Sequence, residues 1–111
     1  MTSLTLEVYA TADEWKKIGE LKPGDPIGSI SNNKPNGTRD IYMFECLPDG
    51  SKSIIYRSKA GIDIEYGLTR MVTTEGAEVI KELRIGDEPY IMEVSTDRSP
   101  KSRRQIRFTY K

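Results

Sequence analysis

Leu4, Leu6 and Val8 alternate with Thr5, Glu7 and Tyr9 through "LTLEVYA" (residues 4–10), the period of a strand with one face in a core. The next pattern breaks that period. "TADE" places Thr11 as an N-cap with Glu14 three residues on, and predicts a short helix over about residues 12–20 with Trp15 and Ile18 on one face. Pro23-Gly24-Asp25-Pro26 ends it, because proline withholds a helical donor and glycine permits the turn. After the turn formers of "SNNKPNGT" (31–38), "RDIYMFECL" (39–47) is a strand, joined through "PDGS" to "KSIIYRS" (52–58) as a hairpin. "IDIEYGLTRMVTT" (62–74) reads as a strand bent at Gly67, and "EGAEVIKELR" as a second short helix. "EPYIMEVST" (88–96) and "RRQIRFTYK" (103–111) then predict two strands joined by "DRSPKS".

"ELKPGD" (20–25) returns as "ELRIGD" (82–87), and the order of predicted elements repeats with it. Ile18 aligns with Ile80, Leu21 with Leu83, Gly24 with Gly86 and Asp25 with Asp87; farther on, "RDIYMFE" lies over "RQIRFTY". The expected fold is therefore α+β and mostly β: a small barrel or sandwich of about seven or eight strands with two short helices, built as strand-helix-strand-strand twice. The repeat units are residues 4–47 and 62–111, with a connecting hairpin arm at 48–61. Units this small cannot each bury an apolar face, so both are expected to share one core in a single domain of 111 residues.

Charge changes the picture through its distribution. Lys plus Arg equals Asp plus Glu at 17 each, yet the last fifteen residues hold six cations against Asp97 alone, a net +5 that leaves −5 on the rest. A basic end on an acidic body points to an anionic partner, or to a second copy of the chain in a head-to-tail homodimer. The alternation of Ile106, Phe108 and Tyr110 with Gln105, Arg107, Thr109 and Lys111 sends the first set to the core and the second to solvent. With Arg98, Lys101, Arg103 and Arg104, the outward set forms a basic ribbon suited to a phosphate backbone. In the aligned strand of the first unit Tyr42, Phe44 and Cys46 occupy the positions of Arg107, Thr109 and Lys111. Tyr42 and Phe44 are then either covered by the arm "SIIYRS" or exposed as an apolar patch for a protein partner.

"TADEWKKIGELKPGDPIGSI" (11–30) resembles the strand, short helix, "LKPGD" turn and strand of the AbrB and MazE type of swapped-hairpin DNA-binding domain, and "GAEVIKELRIGDEPYIMEV" resembles it in second copy. The resemblance implies two interlocked β-rich units, here in one chain, that bind DNA through a basic face and regulate transcription.

Catalytic chemistry is sparse. There is no histidine and only Cys46, which excludes Cys/His catalysis and zinc ligation by those residues. No glycine-rich phosphate loop occurs, and carboxylate pairs such as Asp13/Glu14 and Asp87/Glu88 sit at predicted helix ends. A non-enzyme without metal or cofactor is expected. The lone cysteine and the lack of a long apolar run or secretory leader suggest a cytoplasmic protein, with Cys46 a small buried hydrophobe and Trp15 a core anchor. Two functions stand at this point: a nucleic-acid-binding regulator using the basic hairpin, and a protein-interaction module, either an accessory subunit or a small inhibitor of a larger machine.

Overall fold

A computed structural model describes residues 2–11, 14–33, 39–58, 77–95 and 103–111. Among these described residues eight strands run in order: β1 (Leu4–Thr11), β2 (Glu14–Leu21), β3 (Gly28–Asn33), β4 (Arg39–Cys46), β5 (Ser53–Ser58), β6 (Glu78–Leu83), β7 (Tyr90–Ser95) and β8 (Arg103–Tyr110). They form two four-stranded antiparallel sheets, β2-β1-β8-β7 and β3-β4-β5-β6. The architecture is all-β. Among the described residues there is no helix and the strands close no barrel, so the α+β expectation is corrected.

Both predicted helices are edge strands, β2 and β6. An isolated helix of two turns is short of the length at which propagation repays nucleation, whereas β2 meets the donors and acceptors of β1 along its length. Gly19 lowers helix preference in the first segment and the β-branched pair Val79-Ile80 in the second. The predicted strand at 62–74 and the loop "DRSPKS" lie outside the described residues.

The echo in the sequence is a repeated three-dimensional device. In each edge strand the register slips around the aligned isoleucine, Ile18 in β2 and Ile80 in β6. Each strand then enters the same turn. Asp25 N–H donates to Lys22 O at 3.0 Å while Asp25 Oδ2 accepts from Lys22 N–H at 2.8 Å; Asp87 and Arg84 make the same two bonds at the same lengths. Gly24 and Gly86 hold φ of 85° and 93°, the left-handed region that a side chain disfavours. Each turn carries the chain from one sheet to the other, β2 to β3 and β6 to β7. Advancing every strand number by four converts β2-β1-β8-β7 into β6-β5-β4-β3, the second sheet read backward. In this correspondence β5, read from sequence as part of an arm outside the repeats, takes the place of β1.

The main core lies between the sheets. Leu4, Leu6, Ile106, Phe108 and Tyr110 from the first sheet meet Phe44, Cys46, Ile55 and Leu83 from the second. Phe44 and Phe108 meet edge to face at 5.6 Å, a favoured aromatic geometry. Tyr110 donates its hydroxyl to Gly50 O at 2.8 Å, fixing the β4–β5 hairpin tip to the last strand. The opposite face of the second sheet carries another buried cluster, Ile41, Met43, Ile54 and Tyr56. Tyr56 donates to Glu45 Oε1 there; burial first, then this bond and the glutamate charge, push its phenol up to about 12.

Replacing Gly86 by Ala or Asp87 by Ala is expected to cost about 1 kcal/mol each, read as a lower urea midpoint at unchanged slope. The raised phenol sets a second expectation. The folded chain holds the Tyr56 proton more tightly than the unfolded chain, so this stabilisation is complete below the usual tyrosine value of 10.0 and is lost as pH rises through about 12. Urea midpoints measured along that alkaline limb should fall, and Tyr56→Phe should flatten part of the fall. Tyr110, whose phenol burial also raises, accounts for a further part.

Candidate functional site

Two central strands build the outer face of the first sheet. β1 contributes Thr5, Glu7 and Tyr9, and β8 contributes Arg103, Gln105, Arg107, Thr109 and, just past its end, Lys111. Cross-strand pairing sets one row over all four strands: Lys17 of β2 opposite Glu7 of β1, Glu7 opposite Arg107 of β8, and Arg107 opposite Ile91 of β7. Direct partners in a sheet share a face, so these side chains are neighbours by register alone.

Arg107 is the centre of that row. Its Nε and Nη2 donate to Glu7 Oε1 at 3.1 and 3.0 Å, and its guanidinium carbon lies 4.4 Å from the centre of the Trp15 ring. Tyr9 meets Trp15 edge to face at 5.3 Å. The cation is therefore held between a carboxylate and an aromatic face, both of which favour its charge. Beside this cluster Thr5, Lys17, Arg107, Thr109 and Lys111 border an open basin of about 540 Å³ with Gly86 and Asp87 of the second turn.

The predicted basic ribbon divides. Arg103, Arg107 and Lys111 belong to this face, while Arg104 lies on the opposite face of β8 with Ile106. Arg98 and Lys101 lie outside the described residues. Arg103 approaches Glu93 at 3.5 Å and Lys17 bonds Glu20 at 2.8 Å, which holds the Glu20 carboxyl below its usual range. Charges on the second sheet are matched as well, Arg57 with Glu78 at 3.1 Å and Lys52 with Glu82 at 2.9 Å.

Tyr42 and Phe44 face the interior rather than solvent or the arm. Phe44 is buried against Phe108 and Tyr42 is half-buried against the same core, with β5 beside them in the sheet rather than over them. The cause is one residue of register. Sequence alignment set Phe44 over Thr109, but the interior matches it with Phe108, and a slip of one residue exchanges the faces of a strand. Cys46 is buried, with Sγ 3.2 Å from Leu21 O, and burial raises its thiol.

Trp15 is the residue whose role sequence reasoning misplaced. On a helix it shares a face with Ile18 and enters the core; on β2 it is half-buried outside, beside Tyr9, while Ile18 turns toward the space between the sheets. The alternation in β1, which sends Glu7 and Tyr9 outward, was the available signal for this face. Among the described residues no group of three or more Cys, Asp or Glu is placed to hold a metal ion, and no helix is long and apolar enough to cross a membrane. Comparisons with protein-family models, with curated proteins and with solved structures find no match to this chain.

A double-mutant cycle on Glu7→Ala and Arg107→Ala should return a coupling of about 0.5–1 kcal/mol in unfolding free energy, shrinking in molar salt. Arg107→Ala should also shift Trp15 emission, since it removes the cation over the ring; an unchanged spectrum with zero coupling would deny the cluster any cohesion.

Proposed function

We propose that this chain is a non-enzymatic protein-interaction module, an accessory subunit or small inhibitor of a larger assembly, that presents the outer face of its first sheet to a protein partner. The observation that carries this reading is the Lys17–Glu7–Arg107–Ile91 row with Trp15 against Arg107. Tyr, Trp and Arg are the residues that dominate protein–protein hot spots, and here they form one cluster on a sheet face with Ile91 about half exposed beside it.

Charge favours the same choice over nucleic acid. Affinity for a phosphate backbone comes from cations whose counterions are released on binding, and Arg107 and Arg103 already have Glu7 and Glu93 beside them. A DNA-binding role of the AbrB and MazE kind would draw on Lys111, on Arg104 from the opposite face of β8, and on residues beyond those described. A cytoplasmic location accords with a buried, unpaired Cys46.

The discriminating experiment compares the wild-type chain, Trp15→Ala and the triple Arg103, Arg104, Arg107→Ala variant. Each is used as bait in nuclease-treated extract and titrated by anisotropy against labelled duplex DNA, single-stranded DNA and RNA at two salt concentrations. A stoichiometric protein retained after nuclease and lost with Trp15→Ala is the expected result. Micromolar nucleic-acid binding that falls steeply with salt and disappears in the triple variant would reverse the assignment.

A further inference from the structure

On the opposite side of the first sheet the two sheets part, leaving a cleft of about 350 Å³ whose walls are Val8, Ile18, Ile30, Val94 and Ile106. It draws on every strand of the first sheet and on β3 of the second, and it lies beside the bond that fixes β3 to β7, Ser95 N–H to Asn32 Oδ1 at 2.9 Å. Alternation along β2 from the outward Lys17 places Ile18 in this wall, and it stays half exposed to solvent at 50%. The volume falls in the range of about 300–1,000 Å³ that small-molecule sites occupy.

Ser31 of β3 and one charged residue complete the described lining. Arg104 stands opposite Val94 in the ladder, on the face of β8 that carries Ile106. Its Nη1 donates to Arg103 O at 3.1 Å, and it forms no ion pair with a described residue, unlike Arg103 and Arg107. The Nε and Nη2 donors form the parallel edge of a guanidinium that matches the two oxygens of a carboxylate. Aliphatic walls with one such edge at the rim select for a chain of methylene groups ending in a single anionic head.

We propose that this cleft is a binding site for an aliphatic monocarboxylate, with the hydrocarbon tail among Val8, Ile18, Ile30, Val94 and Ile106 and the carboxylate on Arg104. The site is separate from the outer face assigned to a protein partner, because the two lie on opposite faces of the same sheet. A head group of one negative charge fits one cation that has no ion pair with a described residue, and beside it the described lining offers a single hydroxyl, Ser31, too few polar groups to match a sugar or a nucleotide.

Methyl-region NMR titrations of the full chain with sodium octanoate, octanol and sodium acetate test it. Octanoate should give saturable shifts at the Val8, Ile18, Ile30, Val94 and Ile106 methyls, octanol should bind about tenfold more weakly, and acetate should leave these methyls unmoved. Arg104→Gln should bring octanoate down to the affinity of octanol while its backbone spectrum overlays the wild type, as expected for an exposed side chain. Ile18→Glu should abolish binding, by placing a like charge in the wall. Non-saturating shifts spread over the molecule, equal affinity for octanol, or full octanoate binding by Arg104→Gln would each overturn the assignment.

Discussion

Everything in this fold follows from two places where the chain leaves one sheet for the other. At Lys22–Asp25 and at Arg84–Asp87 a glycine with positive φ reverses the chain, and an aspartate carboxylate takes the amide that the strand's end leaves without a partner. Had either turn joined neighbouring strands of one sheet, the result would be a hairpin and the two apolar faces would not be shared. Instead β2 is tied to β3 and β6 to β7 across the interior, so each half of the chain contributes to both sheets. The core between Phe44 and Phe108 is the consequence.

That lacing also separates the two faces of the first sheet into different chemistries. Inside, alternate residues of β1 and β8 are aliphatic or aromatic and bury against the second sheet. Outside, the same strands carry Glu7, Tyr9, Arg107 and Thr109, and the edge strand adds Lys17 and Trp15. Arg107 and Arg103 are matched across the strands by Glu7 and Glu93, which lowers the electrostatic cost of crowding them and leaves a face that is polar yet not strongly of one sign. Alternation from Lys17 turns Ile18 inward, where it walls the cleft beside Arg104, and the register slip that follows keeps Leu21 inward as well, opposite Leu4.

A net charge concentrated at one end of a sequence is a weak guide to a surface when strands are antiparallel. The C-terminal strand looks basic because its neighbours in sequence are basic. Its neighbours in space are β1 and β7, which supply Glu7 and Glu93. The pairing that cancels Arg107 joins residues 100 positions apart, and no reading along the chain contains it.

By itself the sequence determined strands at 4–10, 39–47, 52–58, 88–96 and 103–111, each within two residues of the observed β1, β4, β5, β7 and β8, with the "PDGS" hairpin, the paired glycine–aspartate turns and the apolar character of Cys46. These are legible because alternation, turn chemistry and the freedom of glycine are properties of a few adjacent residues. Tertiary structure alone decided that "EWKKIGEL" and "EVIKEL" are strands, because an edge strand takes its hydrogen bonds from a distant partner while a short helix must supply its own. It decided that Phe44 faces inward, because face depends on a register set across the core and not on alignment of letters. It decided, finally, that Arg107 is bound to Glu7 and Trp15 while Arg104 guards an apolar cleft, because neighbouring residues of a strand point to opposite sides and meet wholly different surroundings.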